Sequence, residues 1–391
     1  MATLTNTQIK DLMNQAYNQF TGNQGTDSAI DLSAFDTGMS GDELVALKNR
    51  FTKELIAVCT KNWFMDTSYR GTYNDPFYED SSRFGAITQM ISATVPEVKE
   101  NSAWNSFESG VTKVGQYTVY LPVVDTRYYA KSESWALPIT ISGEQWDTAF
   151  RNESELGDFV AYIFMMVDNA IVQHMEDLNN ANRNHFIAEK IHYATSEGAK
   201  GVHVVNLVEL YCQDTGKDSM TVEEFLSDAD ALRNATKNIG LYEGYLRKQT
   251  SLFNTEEKVR FVPKDREVVQ LLGAFVKTLN SVALSNTFHK DMLELPLYSE
   301  VPAWQSMNDL SFDKLSSINV KLDDTRTVAK SGIVGLMCDK WAIVHTIKSD
   351  RVGSQHFSIE NLTHYEYQHR DQYINNLTLS AIVFTVEDVI A

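Results

Sequence analysis

Residues 152–194, NESELGDFVAYIFMMVDNAIVQHMEDLNNANRNHFIAEKIHYA, decide the architecture of this 391-residue chain. Apolar side chains recur at Leu156, Val160, Ile163, Val167, Ile171, Met175 and Leu178, at every third or fourth position. That is the period of one buried stripe on an α-helix. Asn152 with Glu155 supplies an N-terminal cap and a first-turn acid, and no proline interrupts the run. Some 40 residues at ~1.5 Å each make a rod of about 60 Å, longer than a compact domain requires. The spacing predicts one long spine helix, and the rest of the chain is read outward from it.

Immediately upstream, residues 111–141 read as an extended hairpin. Val111, Lys113, Gly115, Tyr117, Val119 and Leu121 alternate with Thr112, Val114, Gln116, Thr118 and Tyr120, and Pro122 ends the strand. A return strand is expected through Tyr128, Tyr129, Trp135, Leu137, Ile139 and Ile141. Neither half keeps its apolar residues on one face, so such a hairpin buries itself poorly on its own domain. Tyr117, Tyr120, Tyr128, Tyr129 and Trp135 are therefore candidates for contact with a second subunit. An edge hairpin of the same domain is the plainer alternative.

Residues 1–75 read as a helical arm: a short polar helix, then a link rich in Gly, Ser, Thr and Asp over residues 21–41. A second helix follows, opened by the Ser40/Glu43 capping box and carrying Leu44, Leu47, Phe51, Leu55 and Val58 on one face. Residues 76–110 connect the arm to the hairpin, with a short helix expected over 84–92 and Pro96 at its exit. The spine helix belongs to a segment spanning 142–197.

Residues 198–330 read as a mixed α/β unit. A strand is expected at 202–207. A helix opened by the Thr221/Glu224 capping box should run to Ile239 and stop at Gly240. A strand at 258–262 and a helix from Asp265 to about Asn280 follow, the helix turning Val268, Val269, Leu272, Phe275 and Leu279 inward. Residues 295–304 form a loop or edge strand between Pro296 and Pro302, and 317–322 a strand. Residues 331–391 carry returning strands: 332–337 and 341–347 on either side of a tight turn at Cys338, Asp339 and Lys340, an alternating strand at 359–370, and an apolar strand at 381–384.

Composition narrows the function. Formal net charge is −18, from 52 acids against 34 bases, which disfavours a protein that grips nucleic acid. Cys59, Cys212 and Cys338 are far apart and form no CxxC, so they read as free thiols. No signal peptide is legible, and the longest apolar run, residues 159–167, is about half a membrane span. Nucleotide-binding glycine motifs and the G-x-S-x-G elbow are missing. His185, Glu189 and His192 share a helix face, which keeps a metal-dependent enzyme as a distant alternative, although zinc-binding helices place their histidines at i and i+4. His364 and His369 point to opposite faces of a strand, and His345 reads as a core histidine. Adjacent acids such as Glu79/Asp80 and Asp323/Asp324 diverge. No catalytic residue, metal ligand or cofactor is assigned, and the chain is not read as an enzyme.

The order of arm, extended hairpin, spine helix, α/β unit and returning strands resembles that of tailed-bacteriophage major capsid proteins of the Hong Kong 97-type fold. The C-terminal strands sharpen the likeness: Cys338-Asp339-Lys340-Trp341, the apolar 342–347, His364-Tyr365-Glu366-Tyr367-Gln368-His369, then Ala381-Ile382-Val383-Phe384. This series is similar to the end of the shell domain in small short-tailed (Picovirinae-like) phages. The resemblance implies an α+β fold with an N-terminal helical arm, an extended β-hairpin loop, a long spine helix and a mixed α/β axial domain. It also implies a protein that self-assembles, as pentamers and hexamers, into an icosahedral shell. The shell would enclose double-stranded DNA without reading its sequence, would meet other head proteins such as a portal, and would form in the host cytoplasm without a membrane. An encapsulin-like bacterial compartment shell is the alternative with the same fold.

Overall fold

The computed structural model describes residues 76–77, 87–93, 124–130, 132–142, 153–198, 202–285, 296–305, 308–357 and 362–390. The expected arm, and the first hairpin strand with Tyr117 and Tyr120, lie outside the described residues.

The spine is one helix, α1 (Glu153–Ser196), of 44 residues, about 66 Å long at ~1.5 Å per residue. It serves two cores. Toward its middle, Val167 and Ile171 pack with Tyr367, and Trp135, Leu137, Ile139, Met175 and Val352 close around them. Toward its C-terminal end, Phe186, Ile187, Ala188, Ile191 and Ala194 are buried in the main core.

The smaller core lies under a three-stranded antiparallel sheet. Its middle strand, β11 (Leu362–Asn375), sits between β10 (Ile343–Phe357) and β3 (Glu133–Ser142). In its register Tyr367 faces Leu137 and His369 faces Trp135. The main core surrounds a five-stranded sheet with the order β4 (Val204–Asn206), β12 (Ala381–Thr385), β9 (Ile333–Asp339), β5 (Glu267–Leu272), β6 (Ser299–Val301). Every residue of β9 and β12 is buried, as expected of central strands covered on both faces. Gly332 enters β9 at φ +77°, and a Cβ there would stand 2.7 Å from Glu387 Cβ, so the position needs both the freedom and the smallness of glycine.

Helices α2 (Leu207–Thr215), α3 (Val222–Ser227), α4 (Ala229–Leu246) and α5 (Gly273–Ser285) contribute to the main core. Short α6 (Phe312–Leu315) precedes a small hairpin of β7 (Ile318–Lys321) and β8 (Thr327–Lys330). The capping box forms as read, with Thr221 Oγ1 accepting from Glu224 N at 3.3 Å and Glu224 Oε2 accepting from Thr221 N at 2.9 Å. Among the described residues no helix is long and apolar enough to cross a membrane.

Several elements differ from the sequence reading. The helix after Thr221 ends at Ser227, because Asp228 leaves the helical region and caps a second helix through Asp230 N and Ala231 N. Gly240 lies inside that second helix rather than at a stop. Residues 267–272, read as the start of a helix, form β5, because β9 and β6 supply hydrogen-bond partners on both sides. The run Val268, Val269, Leu271, Leu272 fits either period, and the helix begins only at Gly273. Residues 258–262 make a single bridge, Thr250 to Arg260, and no strand. The strands flanking Cys338 do not pair. A 3-10 turn, Lys340–Ala342, sends β9 into one sheet and β10 into the other. Residues 84–92 contain no helix among those described, since Thr88–Ala93 is strand β1, paired with β2 (Val124–Tyr129). The expected return strand is split, because β2 pairs with β1 whereas β3 joins β11.

Candidate assembly site

The β1–β2 ribbon is a sheet of its own, apart from the three-stranded and five-stranded sheets. Its register sets Gln89 opposite Tyr128, Ile91 opposite Thr126, and Ala93 opposite Val124. On this outward side Ile91 and Tyr128 are each 66% exposed and Val124 53%, with Ile87 just before the strand at 58%. A two-stranded ribbon has no second layer with which to cover such a face. An exposed group of large apolar side chains marks a contact surface.

The other side of the ribbon is bonded to its own chain. At the Thr88/Tyr129 end, Thr88 Oγ1 donates to Gln372 Oε1 at 2.7 Å and Gln372 Nε2 donates to the Tyr129 carbonyl at 2.8 Å. Lys348 Nζ donates to Thr88 Oγ1 at 3.2 Å. At the Ala93/Val124 end the partners are charged and come from residues 256–260. Lys258 Nζ lies 3.1 Å from Asp125 Oδ2 and 2.7 Å from Glu256 Oε2. Arg127 pairs with Glu256 and lies 3.8 Å from Asp125. Arg260 donates to Ser92 Oγ at 3.2 Å and stands 4.0 Å from Glu256. The hydrogen bond from Lys258 holds the Asp125 carboxyl below its ordinary value.

That charged loop is a firm platform. Asn254 is fully buried; its Nδ2 donates to the Lys258 carbonyl at 2.7 Å and its Oδ1 accepts from Lys258 N at 3.0 Å and Glu256 N at 3.2 Å. Glu257 takes φ +53° within this closed turn. The platform is tied to the spine: Lys190 Nζ donates to the Phe253 carbonyl at 3.2 Å, and Tyr193 OH to the Thr255 carbonyl at 3.2 Å. Lys190 is fully buried, and burial depresses its pKa to about 7.

The proposed contact residues divide. Tyr128 faces outward, whereas Tyr129 is half-buried and offers its carbonyl to Gln372. Trp135 is engaged within its own chain. Its Nε1 donates to Asp371 Oδ2 at 2.8 Å, and its ring stacks on His369 at 4.4 Å and meets His174 edge-on at 4.6 Å. Asp371 is wholly buried, with His345 Nε2 at 4.0 Å from Oδ1. Burial pushes its carboxyl up, but the hydrogen bond from Trp135 and the neighbouring imidazoles of His345 and His369 more than offset this and hold it low. His345 is the core histidine expected from sequence, stacked on Tyr373 at 4.6 Å. Asp371→Ala is expected to destabilise the three-stranded sheet by about 1–2 kcal/mol, since it leaves a partly buried indole N–H without its acceptor. A red shift in Trp fluorescence and a lower urea midpoint would show it.

The alternative metal trio is engaged elsewhere: Glu189 lies 3.8 Å from Arg326, and His185 Nδ1 lies 3.4 Å from Asn375 Nδ2. Among the described residues no group of three or more His, Cys, Asp or Glu side chains could hold a metal ion. Cys338 is fully buried, and burial pushes its thiol pKa far up.

Sequence reading missed the platform and Lys190. The available signal was a lysine inside the apolar stripe formed by Phe186, Ile187 and Ile191.

The model of the Phi29-like phage major capsid protein family matches residues 9–385. Comparison with curated proteins finds no match. Among solved structures, a chain from the capsid structure of Staphylococcus phage Andhra superposes with a TM-score of 0.51 at 9% identity, covering 81% of this chain and 84% of that one. That likeness shows a shared fold. A chain from the structure of head fiber and inner core protein of native bacteriophage P68 gives 0.45 at 11% identity, covering 79% and 83%. One from the asymmetric unit of the bacteriophage PhiM1 mature capsid gives 0.40 at 8%, covering 80% and 85%.

Proposed function

The chain belongs to the Phi29-like phage major capsid protein family, and from that premise, which makes it a structural protein of a phage shell, we propose how it builds that shell. Many copies close into an icosahedral shell of the Hong Kong 97-type, as pentamers and hexamers, around double-stranded DNA that the protein encloses without reading. Residues 1–75 act as an arm, 76–110 lead into the peripheral part, and 111–141 form the loop that reaches a neighbour. Residues 142–197 hold the spine, 198–330 the axial part, and 331–391 the returning strands. The strand series of residues 338–384 supports kinship with small short-tailed phages, and a portal is the natural second partner. The family match favours a phage shell over a bacterial compartment shell.

The observation that carries the reading is the uncovered apolar face of the ribbon, with Ile91 and Tyr128 each 66% exposed. A second copy of the chain is its occupant. The net charge of −18 suits a container whose wall must not hold its nucleic acid tightly.

Wild-type protein is expected to form closed particles visible by negative-stain electron microscopy. The double substitution Ile91→Asp with Tyr128→Asp should leave the chain folded by circular dichroism and lower particle yield at least ten-fold. A wild-type protein that stays small under every assembly condition overturns the shell reading. A double variant that assembles normally overturns the role of the ribbon face.

A further inference from the structure

The ribbon is attached at two ends by different chemistry. By register, Thr88 opposite Tyr129 and Ala93 opposite Val124 are its opposite ends, about 17 Å apart at ~3.3 Å per residue. The Thr88/Tyr129 end is held by neutral and lysine hydrogen bonds to Gln372 and Lys348 of the three-stranded sheet. From the middle to the Ala93/Val124 end it is held by charge: Arg127, opposite Met90, and Asp125, opposite Ser92, on the ribbon against Glu256, Lys258 and Arg260 on the platform. In the middle, opposite Arg127, Met90 Sδ receives a weak contact from Asn376 Nδ2 at 3.8 Å. The platform itself is set by Asn254 and tied to the spine by Lys190 and Tyr193.

We propose that these five charges form a clasp that opens and closes one end of the ribbon while the Gln372 end serves as its pivot. The clasp sets the angle at which the apolar face is offered to a second copy. Its assembly role rests on the shell reading above; its opening does not. Single pairs this exposed are weak, so hold depends on the shared network, with Glu256 and Asp125 each facing more than one cation. Such a network answers to ionic strength, because the screening length falls from ~10 Å at 0.1 M to ~3 Å at 1 M. The hydrogen bonds at the pivot, none of which joins two opposite charges, answer far less to salt. Closed, the clasp holds the face in one orientation and spares the ordering cost of association.

The test uses the full chain before assembly. Amide hydrogen exchange is followed in wild type, Asp125→Lys, Lys258→Asp and the double exchange of both. Amides of residues 88–93 and 124–129 should exchange about ten-fold faster in each single variant and in wild type at ~1 M salt. The double variant at low salt should exchange more slowly than either single variant, as the 125–258 pair is restored in reverse. Amides of β9 and β12 should be unchanged throughout, which shows that the variants fold. Unchanged ribbon exchange in the single variants, or a double variant as fast as the singles, overturns the clasp. Particle yield is then compared at matched concentration. If wild type assembles, the single variants should give several-fold fewer particles and the double should recover; equal yields from all four overturn the assembly role. Absence of wild-type particles counts against the shell reading alone, and the exchange rates still decide the clasp.

Discussion

Trp304→Ala should cost the folded chain roughly 3–5 kcal/mol, among the largest effects available to a single substitution here. Trp304 is fully buried. Its Nε1 donates to the Ile333 carbonyl at 2.7 Å, and its own carbonyl accepts from Asn184 Nδ2 at 2.6 Å. The guanidinium of Arg183 lies over the ring at 5.4 Å. One side chain therefore joins the spine helix to the first residue of a central strand. Alanine removes the ring's contacts and the bond to Ile333 and leaves a large cavity. Urea unfolding should show a midpoint far below wild type with an unchanged slope. A loss under about 1 kcal/mol would mean that the core collapses around the gap and that the ring is not a keystone.

Lys190→Met should act in the opposite direction and stabilise the protein at neutral pH. Lys190 is fully buried, and burial lowers its pKa from 10.5 to about 7. A base with a depressed folded pKa binds fewer protons folded than unfolded between those two values. Its contribution to stability is therefore full above about 10.5, is lost progressively as pH falls, and is at its worst below about 7. A shift of that size corresponds to an upper bound of about 5 kcal/mol. The lysine returns part of this through bonds to the Phe253 and Leu377 carbonyls, at 3.2 and 3.4 Å. Neither carbonyl is orphaned by its removal, since Ala381 N donates to Phe253 and Thr255 N to Leu377. Methionine fills similar volume, so a net gain of about 2–4 kcal/mol at pH 7 is expected. The difference between variant and wild type should shrink as pH rises from about 7 toward 10.5, the range set by the two Lys190 values. Thermal unfolding of both proteins across that range checks the sign; a variant less stable than wild type at pH 7 would refute it.

The spine was legible because a stripe at helical spacing needs no partner to be recognised, and α1 begins one residue after the Asn152 cap read from sequence. The buried strand at residues 381–384 was legible for a similar reason, as a short unbroken apolar run. What could not be read depended on distant segments. Val268, Val269, Leu271 and Leu272 fit both periods, and only β9 and β6 on either side make them a strand. The return strand over residues 124–141 showed its extended character, but no local rule tells which sheet a strand joins, so the split between β2 and β3 was invisible. Of the contact candidates, Tyr128 and Trp135 looked alike as aromatics in a polar strand. Asp371, far along the chain, takes Trp135 inward. The platform was hidden because Asn254 organises it through backbone bonds that leave no mark on hydrophobic periodicity.

The position of β12 has a consequence for synthesis. It lies between β4 and β9 in the five-stranded sheet, yet it follows every other strand of that sheet in the chain. A ribosome-bound chain has made β4, β5, β6 and β9 long before the strand that separates β4 from β9 emerges. Until then both carry an unpaired edge, the hazard that favours aggregation. The sheet can therefore close only after residues 381–385 have been made. A chain cut before residue 381 should expose the β4 and β9 edges that β12 joins.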